Sequence, residues 1–226
     1  MDDVLPLGAG SVEQFLLRWY GPTGSSRVGA AAVSFAAPSE LIEWHAAAER
    51  AGRPVTFQDH PIALGDLSPD PGGMLTFWVE NQHVYYWAVN LSDPESRVFC
   101  REIGSEEWQF VGEDLGKFLL HCTVREAIIG AARKFTVFVA ESSLNDALEL
   151  FSVLDFAALV SEDPETRIWS SSDALASVTV PPVGYGSPDE QFWMITIAVA
   201  ADTSVEKYGS RFGLDLSGEI DPPSYQ

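Results

Sequence analysis

Phe77-Trp78-Val79-Glu80-Asn81-Gln82-His83-Val84-Tyr85-Tyr86-Trp87-Ala88-Val89-Asn90-Leu91 reads as two strands joined by a polar turn. Before the turn, Leu75, Phe77 and Val79 alternate with Thr76 and Trp78; after it, Tyr85, Trp87 and Val89 alternate with Tyr86, Ala88 and Asn90. That period of two belongs to strands with one face buried. Glu80 to His83 form the connection, where Asn81 can bond nearby backbone and tolerates positive φ. Strict alternation sets Trp78 and Tyr86 on the face opposite Phe77 and Trp87. With helices on one side of the sheet only, these two would lie exposed beside each other as anchors for a protein partner, since binding hot spots favour Trp and Tyr.

Outward from the hairpin, Val98–Ile103 and Trp108–Val111 read as two further antiparallel strands linked through Gly104-Ser105-Glu106, so a four-stranded meander is expected. Upstream, Ser11 and Gln14 read as a capping box, and Val12, Phe15, Leu16 and Trp19 make one face of a helix that Gly21-Pro22 ends. A short strand is expected from Ala31 to Phe35. Pro38-Ser39 opens a second helix carrying Leu41, Ile42 and Trp44 and closed by Gly52. Downstream, Asp114 caps a helix with Leu115, Phe118, Leu119 and Cys122, and Thr123 with Glu126 reads as a second capping box that would bend it. Beyond residue 135 the pattern predicts strands at 136–140, 156–160, 167–170, 177–180 and 192–201, a helix at 144–151, and a last helix carrying Val205, Tyr208 and Phe212.

The fold class is therefore α+β: an antiparallel meander sheet of four to six strands with helices packed mainly on one face, extended by a C-terminal α/β half. No Pro/Gly/Ser linker separates independent units, so a single domain over 1–217 is expected, with 218–226 a flexible tail.

The chain has 226 residues, 46% of them hydrophobic, enough to bury a core without disulfides or metal. It carries 33 acidic and 13 basic residues, a net charge of -20. That field repels nucleic acid and anionic membrane and suits a basic protein partner. The imbalance is uneven: residues 1–135 hold 18 acidic and 10 basic residues, and 136–226 hold 15 and 3. Cys100 follows Val98-Phe99, Cys122 lies close after Leu119-Leu120, neither has Cys-x-x-Cys spacing, and both read as buried thiols. Met1-Asp2-Asp3-Val4-Leu5-Pro6 has no basic n-region, and no apolar run is long enough for a spanning helix, so a cytoplasmic location is expected.

Histidines at 45, 60, 83 and 121 have no metal-site spacing, and nucleophile-elbow, phosphate-loop and dinucleotide motifs are missing, so neither metal nor cofactor is expected. Glu80 beside His83 is the best enzymatic suspicion, a carboxylate orienting a general base. A solvated turn tip, however, offers no pocket to tune it. The paired acids Glu106-Glu107 and Glu113-Asp114 sit at strand and helix starts, where capping accounts for them. Glu162, Asp163, Glu165, Asp189 and Glu190 are loop acids without capping duty, and a charged partner face is expected there.

Three features together resemble the SUKH superfamily of bacterial immunity proteins and eukaryotic scaffold relatives. They are the Leu5-Pro6 start with a helix ending in Trp19-Tyr20-Gly21-Pro22, the Glu80-Asn81-Gln82 turn with Trp87 five residues on, and Trp108 leading into a helix with Phe118-Leu119-Leu120. The resemblance covers 5–130 and leaves 136–217 as an acidic extension. It departs from the family at His83, where a Gly is usual. The resemblance implies a non-catalytic binder that neutralises a cognate toxin, often a nuclease, by occluding its active surface. The alternative it implies is a regulatory or scaffold protein with a housekeeping partner. On this reading Trp78, Glu80, Asn81, Gln82, Tyr86 and the loop acids meet a basic toxin domain, and the chain is a monomer or weak homodimer.

Overall fold

A computed structural model describes residues 11–21, 35–160, 166–182, 191–200 and 203–214. Among them are two antiparallel sheets of five strands each with five helices, an α+β architecture without a closed barrel. The chain divides into two compact units. One consists of Pro6–Gly130 and Phe156–Asp163; the other is chiefly Ala131–Asp155 and Pro164–Gln226. Expectations placed on residues 31–34, on Glu162, Asp163, Glu165, Asp189 and Glu190, and on the 218–226 tail lie outside the described residues.

In the first unit, strands β1 (His60–Pro61), β2 (Met74–Val79), β3 (Tyr85–Asn90), β4 (Arg97–Glu102) and β5 (Gln109–Asp114) pair in chain order as a meander. Helix α1 (Ser11–Tyr20) buries Phe15, Leu16 and Trp19, the stripe its spacing predicts, and Gly21 ends it at φ +82, a left-handed conformation that glycine adopts without a Cβ penalty. Helix α2 (Ser39–Arg50) buries Leu41, Trp44 and Ala47. Helix α3 (Leu115–Ile129) starts directly after β5, where the Asp114 carboxylate accepts the Lys117 N–H at 2.9 Å. Eleven of its fifteen residues are buried, as in a helix with neighbours on all sides.

The expected bend at Thr123 is not there; α3 is continuous. Thr123 Oγ1 donates back to the Leu119 carbonyl at 2.6 Å and accepts the Trp44 indole N–H at 2.9 Å. Its hydroxyl locks α2 to α3 and is not available to cap a new helix. Glu126, the other half of the expected box, has a different task described below.

Trp78 is also misplaced by simple alternation. Leu75 pairs with Val89 and Thr76 with Ala88, but Trp78 pairs with Trp87, so β2 carries a bulge at Phe77. One extra residue shifts the parity of everything after it. Phe77 and Trp78 consequently both join the covered face. Phe77 meets Phe118 edge-on at 5.6 Å, Trp78 meets Trp44 at 5.3 Å, and Trp78 is 1% exposed. Trp78 is therefore a core residue, not a surface anchor. The helices lie on the face that carries Trp87, and the bulge brings Trp78 onto it.

In the second unit the sheet order is β6 (Lys134–Ala140), β10 (Phe192–Val199), β9 (Ala174–Thr179), β8 (Arg167–Ser170) and β7 (Ser152–Val153), antiparallel throughout. Phe135, Val139, Ile195, Ile197, Ala176 and Val178 share one face through this register. They pack with Leu148, which follows the short helix α4 (Leu144–Ala147), and with Tyr208 on α5 (Glu206–Gly209). The expected strand at 156–160 is not one. That stretch returns to the first unit as an unpaired strap, because side chains, not a neighbouring strand, take its backbone groups.

Candidate functional site

The hairpin turn has the geometry its residues suggest. His83 sits at φ +61, which imidazole-bearing residues tolerate better than most, so the turn closes without the usual glycine. Its N–H donates to the Glu80 carbonyl at 2.8 Å. Glu80 spends one carboxylate oxygen on the N–H groups of Gln82 (2.8 Å) and Val84 (3.2 Å), and His83 lies beside His60 with ring centroids 6.4 Å apart. The carboxylate thus shapes its own turn, and Asn81, Gln82 and His83 are exposed.

Beneath the turn lies a buried polar network that local spacing did not announce. Glu126, 1% exposed on α3, accepts the N–H groups of Phe57, of Gln58 at 2.8 Å and of Asp59 at 3.0 Å. Asp59, 2% exposed, in turn accepts the Asn81 N–H at 3.3 Å and faces Arg125 at 3.4 Å. Burial pushes the Asp59 carboxyl above its usual range against the opposing pull of Arg125. One helix therefore holds the 57–59 loop, and the loop holds the hairpin turn.

Glu113 plays a matching part at the other end of α3. Gly112 at φ +83 bulges β5, since Arg97 pairs with Asp114 while Phe99 pairs with Phe110. Glu113, 2% exposed, accepts the Ala157 N–H at 2.8 Å and lies 3.3 Å from His121 Nδ1, whose ring stacks on Phe156 at 4.4 Å. Capping therefore explains Asp114 but not Glu113, whose carboxylate fastens the strap. Two residues on, the Trp87 indole N–H donates to the Leu159 carbonyl at 3.0 Å.

Between this strap and the sheet is a cavity of about 370 Å³. Register places Tyr85, Cys100, Glu102 and Gln109 on the same face as Trp87, and with Ser105 and Glu107 of the β4–β5 loop they line it; Ala158 and Val160 form the strap side. Burial raises the Cys100 thiol to about 12 and Cys122 well above its ordinary value, so both are neutral, buried thiols. The loop itself is open: Ile103 is 60% exposed among the exposed acids Glu102, Glu106 and Glu107, and Phe110 of β5, paired with Phe99 on the face away from the cavity, is 53% exposed. On the opposite face Tyr86 is half-buried across from Arg101, whose guanidinium lies 4.4 Å over the Trp108 ring.

Of the residues expected to meet a partner, Glu80, Asn81, Gln82 and Tyr86 stay together at one end of the hairpin, and Trp78 leaves the set. The acidic and apolar β4–β5 loop was missed, because its acids read as strand-start residues. Alternating Glu102-Ile103 and Glu107-Trp108 beside a glycine turn was the available signal.

Among the described residues no group of three or more His, Cys, Asp or Glu side chains is placed to hold a metal ion, and no helix is long and apolar enough to cross a membrane. Comparison with protein-family models, with curated proteins and with solved structures finds no match to this chain.

Proposed function

We propose that this chain is a non-catalytic protein-binding module, an immunity protein of the kind the SUKH resemblance implies, which covers the basic active surface of a bacterial toxin in the cytoplasm. The observation that carries the reading is the open β4–β5 connection, where exposed Ile103 stands among the exposed glutamates Glu102, Glu106 and Glu107, with exposed Phe110 near the start of β5, on a chain of net charge -20. A nuclease toxin suits this surface, because its phosphate-binding cleft is basic and an acidic loop competes with nucleic acid for it. Polar turn residues Glu80, Asn81 and Gln82 with Tyr86 extend the contact.

The test is to mix the purified protein with the toxins encoded beside its gene. A complex is expected at low salt, and the triple variant Glu102→Lys, Glu106→Lys, Glu107→Lys should slow association by about tenfold or more while leaving the fold intact. Failure to form a complex with any such toxin at low salt would refute the immunity reading.

A further inference from the structure

We propose that the cavity beneath the β4–β5 loop is a socket for a guanidinium group, an arginine side chain presented by a basic protein partner; this rests on the binding function proposed above and names the chemistry of its contact. The volume of about 370 Å³ falls in the lower range of small-ligand sites and is ample for one long side chain.

Charge decides the class of occupant. Glu102 and Glu107 both line the cavity. Arg101 is the basic residue of the same wall, but its register opposite Tyr86 turns its side chain to the other face of the sheet, where the guanidinium lies over Trp108. With Arg101 held over Trp108, the cavity wall carries two acids against one base. Cys100, a neutral thiol, adds no competing charge.

Geometry then favours arginine over lysine. A planar guanidinium carries five donors in a fork that two separated carboxylates and a side-chain amide can share, and its face stacks on an aromatic ring. Glu102, Glu107 and Gln109 supply the acceptors and Tyr85 supplies a ring.

The experiment uses the full chain, isotopically labelled for amide NMR, and two probes of one shape: Nα-acetyl-arginine amide and its uncharged counterpart Nα-acetyl-citrulline amide. The arginine probe should shift the amide signals of Tyr85, Glu102, Ser105 and Gln109, with the citrulline probe at least about tenfold weaker. Glu102→Gln with Glu107→Gln, two exposed positions, should erase the difference, and Ala158→Phe should block both probes by filling the space. Equal response to the two probes, or shifts confined to other residues, overturns the proposal. A cognate toxin that binds wild type and Ala158→Phe equally well also overturns the socket and leaves the immunity function standing. Probe binding in the cavity without any toxin complex supports the socket and refutes the function.

Discussion

Glu126 shows how much one buried carboxylate can organise. Three N–H groups of a loop 67 to 69 residues away end on its two oxygens, so its charge is stabilised by donors that would otherwise be unpaired. Glu126→Gln keeps the shape but turns one acceptor into a donor facing another donor. A loss of about 2 kcal/mol or more is expected in urea denaturation, with faster amide exchange at Phe57, Gln58 and Asp59.

In the other unit, burial pushes the Asp173 carboxyl up, yet hydrogen bonds from Tyr208, Lys207 and Ser172 outweigh it and hold the pKa below the ordinary value. A carboxylate depressed in the folded state contributes stability above its unfolded pKa, and that contribution is lost as pH falls through the folded value. Asp173→Asn should therefore flatten the fall of the urea midpoint below about pH 4. The two thiols carry the opposite signature. With Cys100 raised to about 12, its thiolate fraction near pH 8 is about a thousandfold below that of an ordinary cysteine, so Ellman's reagent should find no fast-reacting thiol until the protein is unfolded. That both cysteines are buried was legible from the apolar stretches that carry them. The tasks of Glu113 and Glu126 were not, since their partners lie 44 and 67 to 69 residues away and local spacing offered capping as a sufficient account.

At the level of elements, the period-two alternation of residues 75–89 located both strands of the hairpin, and the stripe of Phe15, Leu16 and Trp19 located α1. Alternation could not reveal the bulge at Phe77, because a bulge is a property of the pairing between β2 and β3, not of either strand alone. The error moved Trp78 from core to surface and with it the expected binding face. Trp78 and Trp87 now form a natural comparison, both nearly fully buried. The Trp87 indole fastens the strap through Leu159, whereas the Trp78 indole N–H has no partner among the described residues. Trp87→Phe leaves a buried carbonyl without its donor, and Trp78→Phe removes an unpaired donor. The first should cost about 1–2 kcal/mol more than the second in chemical denaturation. The strap itself was read as a strand because Phe156 to Val160 is apolar. Its backbone instead answers to Glu113 and Trp87, a tertiary arrangement invisible to periodicity.

For the whole molecule, a net charge of -20 on 226 residues sets up self-repulsion that the folded state concentrates and the unfolded chain relaxes. Raising NaCl from low to moderate concentration should therefore raise the melting temperature of the free protein while weakening its complex with a basic partner, opposite responses to the same screening. Composition alone made the sign of that field legible; which part of the surface concentrates it beside apolar side chains needed the β4–β5 loop in three dimensions. The path of the chain has a further consequence. Residues 6–130 form most of the first unit, but its strap, 156–160, comes only after a 25-residue excursion through Ala131–Asp155. On the ribosome, the nascent sheet and helices must therefore wait with the Trp87 indole and one Glu113 oxygen unmet until Ala157 and Leu159 emerge. Release of a chain truncated at residue 130 would leave that indole without its acceptor and that oxygen without its strap donor, a ready handle for a chaperone or protease.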